Sequence, residues 1–212
     1  MGGFLPVRFR AVMLGNQMVG CDTGIAGDGG YMLISDAQRD LGRAYVGGGP
    51  GVVISGIIWL AATWIQHAKG VGAGFAALFF GGMLIFPIAK LLCRTAFHRA
   101  NESSSNPFGA TVLEGTMAMI GGLFAAWLFL PFKPSLVFPL AAIAVGTHYF
   151  IFKTAYGDRS FWLLAGIVTA IGFGDIFATQ MRGLAPLLVS VTEVVFGLVL
   201  VARALKANKL GA

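Results

Sequence analysis

Six apolar stretches, each long enough to cross a bilayer, follow one another between Val46 and Ala204. They set the solvent of most of this chain as hydrocarbon, where a spanning segment must satisfy its own backbone hydrogen bonds. The stretches read as Val46–Gln66, Val71–Leu92, Gly109–Leu130, Ser135–Phe152, Ser160–Thr179 and Gly183–Ala204. At about 1.5 Å per residue each reaches roughly 27–33 Å, enough to span with modest tilt. The expected fold is all-α: an integral membrane bundle of six transmembrane helices spanning residues 46–205.

Charge content agrees. Only 11% of the 212 residues are charged, against 57% hydrophobic. A soluble domain carries about a quarter charged residues. The net charge of +6 does not point to nucleic acid, because the basic residues are scattered through short loops and form no stripe with interleaved aromatics. They are instead distributed by side. Arg8, Arg10, Arg39, Arg43, Lys90, Arg94, Arg99, Lys153, Arg159, Arg203, Lys206 and Lys209 fall on one side of the membrane, and Lys69, Lys133 and Arg182 on the other. That bias places both termini in the cytoplasm, with the bacterial inner membrane as the expected location. It also supports the count of six, since a missed span would scramble the alternation. Asn101-Glu102-Ser103 fits the glycosylation acceptor pattern but lies on the cytoplasmic side.

Outside the spans, residues 1–31 form a glycine-rich leader without apolar periodicity. It is expected to be a disordered tail, or to precede a true start at Met32. Met18-Val19-Gly20-Cys21 resembles a lipoprotein box but lacks an apolar run before it. Cys21 and Cys93, the two cysteines, support neither a disulfide framework nor a metal site. Residues 32–45 repeat Leu33, Ala37, Leu41, Ala44 and Tyr45 at helical spacing, with Ser35 and Gln38 placed as a capping box. An amphipathic helix at the membrane surface is expected there. Residues 206–212 read as a short basic tail.

Small residues recur every fourth position along several spans: Gly47, Gly51 and Ser55; Gly122 between Ala118 and Ala126; Gly166 and Gly174 around Ala170. In lipid, burying apolar area drives helix association weakly, so close backbone approach through small residues takes over. These residues are expected at helix contacts, with the lipid bilayer, a second copy of the chain or another membrane protein as partners. Trp59, Trp64, Trp127 and Trp162 read as interfacial belt residues.

Four ionisable residues lie where charge is costly: Glu114, His148, Asp175 and Glu193. A carboxylate at mid-bilayer costs about 2.5–3.5 kcal/mol on insertion scales, so it faces protein or water and often has a task. Glu114 shares a face with Ala110, Ala118, Gly121 and Ala125, and Glu193 shares one with Pro186, Ser190 and Gly197. Both are expected to point into the bundle. Glu114 and His148 should lie at similar depth, roughly 6–8 Å in, and pair across a hairpin. Asp175 belongs near the outer end of its span. Helix-end positions alone also account for Glu114 and Asp175, and an aromatic anchor for His148 beside Tyr149, Phe150 and Phe152. No phosphate loop, zinc-protease motif, haem histidine pair or nucleophile elbow appears, so nothing calls for catalysis or a cofactor.

Arg43-Ala44-Tyr45-Val46-Gly47-Gly48-Gly49-Pro50-Gly51, Ser55-Gly56-Ile57-Ile58-Trp59, Gly81-Gly82-Met83-Leu84-Ile85-Phe86-Pro87-Ile88-Ala89 and Asn106-Pro107-Phe108-Gly109 together resemble a family of small bacterial multi-pass membrane proteins of unknown function. The resemblance covers about residues 36–205. It implies location and span count, and no activity. Transport of a small solute or ion through the four polar positions is the functional expectation, with a non-catalytic membrane subunit as the alternative. Parity also permits an inverted three-plus-three repeat, since three spans reverse orientation.

Overall fold

The computed structural model describes residues 32–210. The leader, with Cys21 and its lipidation box, lies outside the described residues. Seven helices follow in order: α1 Ile34–Ala44, α2 Gly49–Lys69, α3 Val71–Thr95, α4 Phe108–Leu128, α5 Val137–Tyr156, α6 Ser160–Phe177 and α7 Ala185–Leu210. Six of these, α2 to α7, are long and apolar enough to cross a membrane. The chain is a multi-pass membrane bundle. Its span edges differ from the sequence reading by a few residues. The largest shift is α7, which continues as helix into the expected basic tail as far as Leu210.

Helix α1 carries its apolar stripe Ala37, Leu41 and Ala44 inward, onto Phe108 and Ala155. The expected capping box does not form. Leu33 precedes the helix with no side-chain cap, and Gln38 instead donates to the Thr154 carbonyl at 2.8 Å. A tight turn then leads into α2. Val46, Gly47 and Gly48 have φ of 50°, 65° and 77°. Glycine takes this left-handed backbone without steric cost, which explains the run Gly47-Gly48 before Pro50. A Cβ at Gly48 would also come within 3.0 Å of Phe161.

Helices α2 and α3 form a hairpin joined by Gly70 alone, and α5 and α6 form a second one. Each hairpin packs on one further helix, α2 on α7 and α5 on α4. The α2–α7 contact is backbone to backbone: an added Cβ at Gly56 would lie 2.9 Å from the Ser190 carbonyl oxygen. Ser190 returns a hydrogen bond from its hydroxyl to the Gly56 carbonyl at 2.8 Å. The order of neighbours therefore repeats when α2, α3 and α4 are exchanged for α5, α6 and α7. Both α2 and α5 also follow a 3-10 turn, Val46–Gly48 and Pro134–Leu136, and carry a proline near their start, Pro50 and Pro139. The exchange is incomplete. Helix α7 packs on α6 and also touches α5, whereas α4 makes no extensive contact with either α3 or α2.

Trp59 is a correction to the sequence reading. It is buried at 1% exposure against Phe138, ring centroids 6.1 Å apart, and is no belt residue. Trp64, Trp127 and Trp162 are exposed.

Candidate functional site

Glu193 lies in the body of α7 and is fully buried. The close approach at Gly56 brings α2 against this part of α7, so Ser55 stands beside the carboxyl. From α5, the Tyr149 hydroxyl donates to Glu193 Oε1 at 2.9 Å. Glu193 Oε2 has no hydrogen-bond partner. A buried carboxyl with one oxygen unpaired is costly, so this arrangement is held by the packing around it.

Ser55 and Tyr149 form part of the wall of a cavity of about 290 Å³. It runs from Tyr45 and Glu102 at the basic end of the bundle to Trp59, Leu78 and Leu123 deeper inside. The gap between α3 and α4 is its open side. Gly82 and Gly109 line that gap, and a Cβ on either would meet nothing within 4 Å. Phe86, half exposed, stands at the same edge. At the deep end α3 and α4 meet through Phe79 and Phe124, ring centroids 5.3 Å apart.

The other three candidate residues go to separate places. His148 is buried on the cavity wall, edge-on to Phe152 at 4.8 Å, with Nδ1 unpartnered beside Gly115 of α4. Glu114 is exposed on the outer side of α4. This corrects the expectation that it points inward and pairs with His148: Gly115, one residue on, takes the inward position. Its small-residue face is one that no neighbouring helix covers. Asp175 is buried at the far end of α6 and accepts the Ala185 N–H at Oδ2, 2.7 Å away. It thereby caps α7, where a carboxylate also complements the helix dipole. The four residues do not form one cluster, and a continuous polar path through all of them is absent among the described residues.

Of the small residues, Ser55 lines the cavity, as does Gly51. Gly122 meets α5, an added Cβ lying 2.7 Å from Ala144, and Gly174 lies against Met181. Gly47 serves the turn before α2. Gly166 faces outward with nothing within 4 Å, which corrects its expected place in a helix contact.

The basic end of the cavity is closed by a polar latch that hydropathy does not reveal. The Tyr45 hydroxyl donates to Glu102 at 2.8 Å. Asp40 of α1 accepts from Arg43 at 2.7 Å, from the Ser103 backbone N–H at 2.7 Å and from Asn106 at 3.1 Å. Asn106 also donates to the Ala37 carbonyl at 2.9 Å. Burial pushes the Asp40 carboxyl up, but these hydrogen bonds and the Arg43 charge outweigh it and hold it below the usual carboxylate range. Burial and the neighbouring Glu102 push the Tyr45 phenol well above its ordinary range, so it remains a donor.

Sequence reasoning missed Tyr149 as a partner, placing it among interfacial aromatics, and read Ser55 only as a small packing residue. Their spacing gives one signal. Tyr149 and His148 are adjacent polar residues in an otherwise apolar helix, which requires at least one of them to face protein.

Residues 34–203 match the family of unknown function DUF7010. The chain belongs to that family. No curated protein and no solved structure gives a detectable match. Membership brings no activity with it.

Proposed function

We propose that this protein is a carrier of a small solute, working by alternating access in the bacterial inner membrane with its basic end in the cytoplasm. The observation that carries this reading is the asymmetry of the helix pairing. Exchanging α2–α4 for α5–α7 preserves the two hairpins and the α2–α7 and α5–α4 pairs, whereas α6 and α7 are packed where α3 and α4 are apart. Two such halves run in opposite directions through the membrane. Inverted repeats of this kind put a solute site at the repeat interface and expose it by rocking one half against the other. With α3 and α4 apart and α6 and α7 packed, the chamber's opening sideways between α3 and α4 is read as one state of such a cycle. In the other state α3 and α4 close and α6 and α7 part. Glu193 lies behind the chamber wall, where either a proton or a cation compensates its charge.

Spin labels at Leu91 and Leu113 report the α3–α4 gap, and labels at Phe177 and Leu187 report α6–α7. In lipid nanodiscs between about pH 5 and pH 8 we expect two distance populations at each pair, shifting in opposite directions. Glu193→Gln should freeze that redistribution. One unchanging distance at both pairs would remove the reading.

The outward position of Gly166 and Ala170 on α6, which no helix of this chain covers, favours a second reading as a membrane subunit. Its mark would be a stoichiometric partner that copurifies with the chain and is released by Gly166→Leu.

A further inference from the structure

We infer that the cavity binds a lipophilic organic cation, admitted sideways between α3 and α4 and held against Tyr149 and Ser55 with Glu193 behind them. This deepens the carrier reading and rests on it for the purpose of the site.

Three observations converge. The first is the lining itself. Tyr45, Phe86, Tyr149, Phe152, Tyr156 and Phe161 present aromatic rings to the space. Ring faces attract cations and are indifferent or hostile to anions. The second is charge. The chain carries 15 lysines and arginines against nine acids, yet among the described residues no lysine or arginine lines this cavity, whereas Glu102 does. The nearest cations stand around its rim. Lys90 lies over the Phe86 ring at 5.5 Å, Arg94 is near Tyr45, and Arg99 is near Cys93. All three are at the basic end or the mouth, so Glu102 has cationic neighbours while Glu193 has none. The other titratable groups on the wall are His148, Cys93 and the phenols of Tyr45, Tyr149 and Tyr156, none of them a standing cation like lysine or arginine.

The third observation is the unpaired Oε2 of Glu193. Tyr149 spends its hydroxyl proton on Oε1, which leaves the phenol oxygen free to accept. A cation in the cavity can rest against the ring faces and the oxygens of Tyr149 and Ser55, while the carboxylate behind supplies the opposite charge. The route fits the same class of ligand. The open side between α3 and α4 is edged by Gly82, Gly109 and Phe86, a threshold for a molecule that dissolves in the bilayer.

The test uses two ions of the same shape and opposite charge, tetraphenylphosphonium and tetraphenylborate. Binding of each to the purified full chain in neutral-lipid nanodiscs is followed by tryptophan fluorescence, to which Trp59 at the deep end contributes. We expect saturable binding of the phosphonium, none of the borate, and competition between the phosphonium and protons. Glu193→Gln should weaken the phosphonium roughly thirtyfold or more, and Gly82→Trp should block entry while leaving the fold intact. Glu193→Asp serves as a second variant should Gln fail to fold, with weakened but measurable binding expected. Equal binding of both ions, or a wild-type affinity in the Glu193 variants, would overturn the inference. The measurement is made at equilibrium with no gradient. Cation binding without any change in the α3–α4 distance would therefore count against the carrier, and conformational cycling without cation binding against this ligand.

Discussion

Tyr149 donates a hydrogen bond to Glu193 at 2.9 Å, and the carboxyl it pairs with is fully buried. Removing the donor leaves a buried carboxyl with neither oxygen paired to it. Tyr149→Phe should therefore lower the stability of the bundle by about 1–3 kcal/mol, read as a fall in the unfolding midpoint in mild detergent. An unchanged midpoint would mean that Ser55 alone satisfies the group. At this scale the sequence is only half legible. Glu114 and Glu193 both share helix faces with small residues, and the pattern alone treats them alike. What separates them is the number of neighbours. Helix α7 has α2 and α6 beside it, whereas α4 leans on α5 and leaves its other sides bare. The face of a residue can be read from periodicity, but whether another helix covers that face is a property of the assembled bundle.

Among the elements, α1 shows most clearly how a polar contact adds to an apolar one. Its stripe Ala37, Leu41 and Ala44 seats it on the bundle, and Asp40 ties it to the loop of residues 96–107. The Asp40 carboxyl has a folded value below its unfolded one, near 3.9. Its contribution is thus fully present above about pH 4 and is lost as pH falls through the folded value. Amide protection at Ser103 should drop over that acid range in hydrogen exchange, after correction for intrinsic rates. Asp40→Asn should show the lowered protection at neutral pH. Span edges were legible to within a few residues because hydropathy ends where the bilayer does. The latch was not, because Asp40, Ser103 and Asn106 are more than sixty residues apart in part and ordinary in composition.

For the molecule as a whole, the proposed sidedness rests on the basic residues, which collect at the end bearing α1 and the 96–107 loop. Reporters fused after residue 212 and into the loop at residue 104 should both read cytoplasmic, while one placed at Lys133 should read external. Opposite readings at residues 104 and 212 would break the six-span topology. The proposed repeat shows in the sequence only as parity and as the placement of Pro50 and Pro139. The 3-10 lead-ins and the partial match of helix neighbours emerge in three dimensions, because helix packing constrains which surfaces meet far more than which residues form them.

Gly70 is the whole of the joint between α2 and α3, with φ 91° and ψ 167°. A link of one residue has no slack, so those two helices must travel together like the arms of a clasp. The 96–107 segment, by contrast, is a tether with length to spare. Any swing that brings α3 toward α4 has to pivot there and carry α2 along with it, shearing α2 across α7 at the bare glycine seam. The hydrogen bond from Ser190 to the Gly56 carbonyl crosses that seam, so it is the contact such a motion must first let go.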